Sequence, residues 1–291
     1  MHMKITPLAA ESMGTRSMAT FVELGKTQIL IDPGASLAGS RFDLPPHPLE
    51  RYQHQKHRDR IALFCQSAHV IVITHFDEDH YIPDSPENYM DKVMFIKNPN
   101  RDLSPEQRKR AFAFLKTIQG VARDVVYMDG RTFDLGTVRL SFSAPLPHRP
   151  GDNGGSVIAV SIREGEQGFC LSSDTGGLTH ARLADFLRTQ KPGTIYLDGP
   201  PVYLKEQRTI DASVRETAES LEKVFEKIRF TDLILDHGLL REEAWQEPMR
   251  PVLDAARKTG FTMQTAAEYR GEENNLLEAR RKRLYEEHPP D

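Results

Sequence analysis

Short runs of apolar, β-branched residues alternate along the chain with longer stretches of helical period, a pattern that predicts a layered α/β domain. Residues 19–24 and 28–31, separated by Gly25, predict a hairpin that ends at Asp32-Pro33-Gly34. The proline-rich segment 41–48 excludes regular structure, and a polar helix follows from about Leu49 to Ser67. Residues 69–74 (HVIVIT) predict a buried strand. Ser104-Pro105-Glu106-Gln107 opens a helix, with Ser as N-cap, Pro in the first turn and Gln placed to complete a capping box; Gly120 is the stop. Strands are expected at 124–128, 137–143, 156–163 and 168–173, the last two joined by a turn at 164–166. Helices at 179–190, 211–229 and 242–259 alternate with strands at 194–198, 232–236 and 261–264. Val214, Ala218, Leu221, Phe225 and Ile228 share one helical face, which reads as a core stripe. No repeat or low-complexity linker divides the chain, so residues 3–270 predict one domain: an αββα sandwich of two mixed β-sheets with outer helices. Residues 271–291 are so charged that a solvated helix and tail is expected there.

Composition narrows the class. Of 291 residues, 38% are hydrophobic and 27% charged, enough apolar material for a sizeable core. A net charge of −4 supplies no general attraction to nucleic acid or acidic membranes. Cys65 and Cys170 lie far apart, which excludes a cysteine-rich zinc framework and fits buried free thiols in a reducing, cytoplasmic setting. The first residues lack the apolar stretch of a signal peptide, and no run approaches a membrane span. Met1 and His2 precede a second methionine and stand outside the fold argument. The basic stretches Arg108-Lys109-Arg110 and His54 to Arg60 read as solvated helix faces; neither carries the aromatic interleaving of a single-strand nucleic-acid platform. Ser36, Ser156 and Ser172 sit in no GxSxG elbow, which disfavours a serine hydrolase.

The chemistry concentrates after the buried strand. In Thr74-His75-Phe76-Asp77-Glu78-Asp79-His80, imidazole and carboxylate donors alternate on a loop leaving the core, where several can turn toward one point. Divalent transition metals accept such nitrogen and oxygen donors. This HxDxDH run resembles the HxHxDH signature of metallo-β-lactamase-fold proteins. Later segments continue the likeness: Pro147-His148 between β segments, Asp174 in LSSDT at a strand end, and His237 in LDH at another. More narrowly, SMGTRSMATFVE, LIDPGASL, LPPHPLE, YLDGPPVYL and LDHGLLR resemble an archaeal-type branch of predicted metal-dependent hydrolases in that superfamily.

The resemblance implies a binuclear site. His75, Asp77 and His148 would hold one ion, Asp79, His80 and His237 the other, and Asp174 would bridge them, with Asp79 and Asp174 also serving catalysis. It departs from the signature at Asp77, a carboxylate in place of the second histidine, which shifts preference from zinc toward iron or manganese. Tyr81 and Gly238 stand where the branch would carry further histidines. Asp32 and Asp198 end strands and are candidates for orienting ligand histidines; Arg16 and Tyr203 are candidate substrate contacts.

The expected activity is hydrolysis of a phosphoester or other ester-like bond in a small-molecule or larger substrate by metal-bound hydroxide, using one or two divalent ions. The alternatives are a non-haem iron redox enzyme acting on oxygen, nitric oxide or a persulfide, and a non-catalytic metal-binding module.

Overall fold

Two sheets, each part antiparallel and part parallel, face one another. The computed structural model describes residues 2–149, 155–228, 231–259 and 261–290. The first sheet runs in simple order through β1 (Lys4–Pro7), β2 (Thr20–Leu24), β3 (Thr27–Ile31), β4 (Val70–Ile73), β5 (Val93–Ile96) and β6 (Asp124–Tyr127). Its first pairs are antiparallel hairpins, and β3 to β6 are parallel. The second sheet includes β7 (Thr132–Leu135), β8 (Val138–Phe142), β11 (Val160–Glu164), β12 (Gln167–Leu171), β13 (Thr194–Asp198), β14 (Asp232–Asp236) and β15 (Thr262–Gln264). Its order is β15-β14-β13-β12-β11-β8-β7, parallel from β12 to β15. Between β8 and β11 a separate ribbon pairs β9 (Leu146–Pro147) with β10 (Ser156–Val157).

Alternation along the strands builds three cores. Val22, Ile29, Ile31, Val72 and Phe95 of the first sheet meet Leu140, Phe142, Val160, Ile162, Leu171 and Ile234 of the second. The opposite face of the first sheet, with Leu30, Ile71 and Ile73, packs on Ile61 and Cys65 of α1 (Pro48–Ser67) and Phe114 of α2 (Pro105–Ile118). The opposite face of the second, with Ile195, Leu197 and Leu233, is covered by α3 (Ala181–Gln190), α4 (Gln207–Phe225) and α5 (Arg250–Thr259). This is the αββα sandwich that the periodicity predicts. Both cysteines are free and buried, and among the described residues no helix is long and apolar enough to cross a membrane.

Several expectations need correction. Strands β1, β5 and β7 were not anticipated, and the single strand expected over 156–163 is broken, because Ile158 N–H turns away to donate to the Thr74 carbonyl. The helix expected over 242–259 begins only at Arg250: Pro248 lacks the N–H that an interior turn needs, whereas Pro251 is tolerated in the first turn. The helix expected over 211–229 starts earlier, at Gln207, and ends at Phe225, with Arg229 outside the described residues; Val214, Leu221 and Ile228 are core, as the stripe predicts. Ser104 caps α2 by accepting from Gln107 N–H, but the Gln107 side chain reaches Asp77 rather than closing the box.

The basic run at residues 54–60 is not wholly solvated either. His57 is fully buried, with Nδ1 2.6 Å from Thr15 Oγ1 and Nε2 2.9 Å from Gln53 Nε2. Burial first, then the charges of Arg60, His54 and Lys56, push its imidazolium down to about 3.

The charged C-terminal segment is docked rather than solvated. Arg281 is buried, donating to both Glu50 carboxylate oxygens at 2.8 and 2.6 Å and to the Ala38 and Leu44 carbonyls. Leu276, Leu277 and Leu284 of the same segment are also buried. High charge misleads here because Arg281 pairs with Glu50 and Glu278 with Arg16 inside, while Lys282, Arg283, Glu286 and Glu287 stay exposed.

Two outcomes follow for stability. Arg281→Met leaves Glu50 buried without its partner, so denaturant unfolding should show a loss of about 3–5 kcal/mol; a loss below about 1 kcal/mol would mean the pair is incidental. His57 carries its folded value below the ordinary 6.5, so the unfolded chain binds its proton more readily, and the stability it contributes above that value is lost as pH falls toward 3. In His57→Gln the slope of unfolding free energy against pH between about pH 6 and 4 should shrink by up to one proton. An unchanged slope would place the acid sensitivity elsewhere.

Candidate metal centre

The parallel strands of both sheets end at the same edge, and the polar residues that follow them converge there. β4 delivers His75, β12 delivers Asp174, β14 delivers His237, and β3 and β13 end in Asp32 and Asp198. Leaving a strand this sharply requires unusual backbone: Asp32, Ser173 and His237 all lie at positive φ, at 48°, 59° and 67°. The loop after β4 curls back through a bond from His80 N–H to the Asp77 carbonyl, 2.9 Å. Gly34 packs against it so closely that a Cβ would stand 2.2 Å from Tyr81 N, so this site in the LIDPG run accepts only glycine.

All seven candidate ligands meet in two adjoining groups. Asp79, His80, Asp174 and His237 each place a donor atom within 4.8 Å of the others, and so do His75, Asp77 and His148. Asp174, fully buried, lies between them. Its Oδ1 is 2.9 Å from both His80 Nε2 and His237 Nε2, and its Oδ2 is 3.8 Å from His75 Nε2 and 3.5 Å from His148 Nε2. Asp79 Oδ2 stands 3.8 Å from His237 Nε2 and 4.0 Å from His80 Nε2.

Do these residues fit metal ions? His75 Nε2, His80 Nε2 and Asp174 Oδ1 are buried without a hydrogen-bond partner, although the last two are near one another. Each such orphan costs about 1–3 kcal/mol unless something else satisfies it. Donors crowded face to face without hydrogen-bond geometry are what a common cation requires, and the imidazole–carboxylate set suits a divalent transition metal.

Asp77 turns into the site. Oδ2 is 3.7 Å from both His75 Nε2 and His148 Nε2, while Oδ1 accepts from Arg110 Nη1 at 2.8 Å. Arg110 therefore does not belong to a wholly solvated face, as the basic run suggested; it neutralises the carboxylate that replaces an imidazole. Burial would raise the Asp77 carboxyl, but the neighbouring His75 and His148 hold it below the carboxylate range.

The partners of the outward ring nitrogens set tautomer and ring direction. Asp32 Oδ2 lies 2.8 Å from His80 Nδ1 and also accepts from Thr74 Oγ1. Glu11 Oε2 lies 2.8 Å from His237 Nδ1, while its Oε1 accepts from Arg241 Nε and Nη2 at 2.9 and 2.7 Å. Burial would raise Glu11, but the His237 and Arg241 charges outweigh it and hold the carboxyl at about 2. Asp198 does not touch a ring nitrogen. It accepts from Gly176 N–H (2.7 Å) and Gly238 N–H (3.1 Å), tying the loop that carries Asp174 to the one that carries His237.

Other candidates separate clearly. Tyr203 OH accepts from Arg149 and Arg241 beside the centre, whereas Arg16 is committed to Glu278 through bonds of 2.7 and 2.6 Å. Tyr81 belongs to an aromatic cluster with Phe76 and Phe114. Glu11, Arg149 and Arg241 were not singled out from sequence, and Arg110 was read only as part of a solvated face. Only the nearness of Arg149 to His148 and of Arg241 to His237 could have drawn attention to two of them.

Metal affinity tests these assignments. Asp32→Asn and Glu11→Gln should each weaken binding about 10–100-fold in competition with a chromogenic chelator. Asp77→Ala should lower occupancy at one of two positions, and Asp77→His should raise the preference for zinc over iron and manganese relative to wild type. Identical stoichiometry and preference in wild type and both Asp77 variants would remove Asp77 from the ligand set.

No family model matches the chain. Among curated proteins, the UPF0282 protein of Korarchaeum cryptofilum is 38% identical over 294 residues, covering 99% of this chain and 96% of its own. That of Methanocaldococcus jannaschii is 35% identical over 293 residues, covering 97% and 96%. Among solved structures, the metallo-β-lactamase fold protein YhfI from Bacillus subtilis aligns with TM-score 0.55 at 10% identity, covering 90% of this chain and 96% of that one. The diiron β-hydroxylase CmlA from Streptomyces venezuelae aligns with TM-score 0.52 at 14% identity, covering 85% and 51%. Zn(2+)-bound PqqB from Methylobacterium extorquens aligns with TM-score 0.50 at 10% identity, covering 91% and 98%. With its two facing sheets and outer helices, the chain has the metallo-β-lactamase fold and belongs to the UPF0282 protein family.

Proposed function

We propose that this protein is a metal-dependent hydrolase acting on a phosphoester or other ester-like bond. The observation that carries the reading is Asp174, a fully buried carboxylate whose two oxygens face two separate groups of imidazoles. In that arrangement His75, Asp77 and His148 would hold one divalent cation, Asp79, His80 and His237 a second, and Asp174 would serve both. Bound there, such ions acidify water to a nucleophile and draw electron density from the scissile group.

The chain's own residues do the rest. Asp32 and Glu11 hold His80 and His237 with Nε2 aimed inward. Arg241 keeps Glu11 ionised, and Asp198 fixes the two loops that carry Asp174 and His237. Asp79, placed beside the His80 and His237 nitrogens, is the carboxylate positioned to orient water and accept its proton.

Oxygen chemistry is the second reading, favoured by the carboxylate at Asp77 and by the shared fold of a diiron hydroxylase. Metal analysis with an absorption spectrum separates the two. Zinc or manganese together with turnover of a chromogenic phosphodiester, abolished by His237→Ala, is the expected result. Metal content should also fall on acidification, since ligation requires neutral imidazole. Purification with iron, a visible charge-transfer band and no hydrolysis of phosphoesters or carboxyl esters would move the reading to redox.

A further inference from the structure

One wall of the centre is made of arginines gathered on a tyrosine. Arg149 donates through Nη2 to Asp174 Oδ2 at 3.0 Å and through Nη1 to Tyr203 OH at 3.2 Å. Arg241 donates to the same hydroxyl at 3.4 Å, and its guanidinium carbon lies 5.2 Å from the centre of the Tyr203 ring. Arg41 stands 5.8 Å from that ring centre, anchored by one bond to the Arg241 carbonyl at 2.9 Å. Its Nε is buried with no hydrogen-bond partner. The Tyr203 hydroxyl receives two donors, so its own proton points elsewhere, and no acceptor for it is found among the described residues.

Two of the arginines near the centre have carboxylate partners of their own. Glu11 offsets Arg241, and Asp77 offsets Arg110. Two divalent cations would compete with Arg149 for Asp174, the carboxylate that stands 3.0 Å from its guanidinium. Among the described residues, the carboxylates within salt-bridge reach are Asp174 for Arg149 and Glu242, 4.0 Å away and half exposed, for Arg41. Donors arriving from three separate segments, the end of β9, the turn after β13 and the turn at 41–44, approach a ligand from different directions. A phosphate oxyanion offers several non-bridging oxygens to donors gathered in this way.

We propose that Arg149, Tyr203 and Arg41 form an oxyanion subsite beside the metal centre, so that the substrate is an anionic phosphate ester held by its non-bridging oxygens. This deepens the hydrolase reading and rests on it. Arg241 does not join the subsite; satisfied by Glu11, it positions the Tyr203 hydroxyl.

The test is calorimetric titration of inorganic phosphate into the metal-loaded protein, with metal content measured in every sample. Phosphate affinity should fall ~10–100-fold in Arg149→Met and several-fold in Tyr203→Phe and Arg41→Met, with metal content unchanged. Arg41 touches no candidate ligand, so its variant remains informative even if Arg149→Met loses metal. Undiminished phosphate binding in Tyr203→Phe and Arg41→Met, or none in the wild type, would overturn the subsite. Acetate bound as tightly as phosphate would overturn the phosphate assignment in favour of a carboxylate substrate. Because binding needs no turnover, an intact subsite in a protein that hydrolyses no ester would sink the hydrolase reading alone.

Discussion

A carboxylate as deeply buried as Asp174 is tolerable only where positive charge surrounds it, and that requirement organises one edge of the molecule. Burial opposes its ionisation, yet His237, His80 and Arg149 hold it well below the usual carboxylate range. The same carboxylate lifts His80 and His237 above the ordinary imidazole value against their own burial, while for His75 burial wins. The groups are mutually dependent, since none would be stable in this interior alone. Divalent cations would take the place of those protons and satisfy the donors that hydrogen bonds leave unpaired.

Around this centre the supporting contacts come from distant parts of the chain. Asp32 lies 48 residues before the His80 that it orients, and Glu11 lies 226 residues before His237. The C-terminal segment joins the same framework: Glu278 engages Arg16, and Asn275 N–H donates to the Ser12 carbonyl beside Glu11. Rigidity at the site is therefore a property of the whole sandwich. Backbone held at positive φ at three strand ends is strain that only such over-determined surroundings maintain.

Much of this was legible in the residues. Strand and helix periods follow from local burial, so the two sheets, the outer helices and the stripe on α4 could be read from spacing. The candidate ligands were named through the resemblance of HxDxDH, and of His148, Asp174 and His237 in order after it, to the metallo-β-lactamase signature, and the structure brings all seven together. Strands β5 and β7 escaped because neither carries the unbroken β-branched run that marks the equally short β4.

The sequence by itself determined the donor types, their order at strand ends and the alternation that makes a sandwich. Only the tertiary structure decided which charges are neutralised and by whom. Arg110 read as a solvated face and proves to pair with Asp77; the charged C-terminus read as a tail and proves to bury Arg281 on Glu50; Asp32 and Asp198 looked equivalent and proved different. Periodicity is a local property of the chain, whereas charge pairing depends on which segments the two sheets bring within about 3 Å of each other, and no local pattern encodes that.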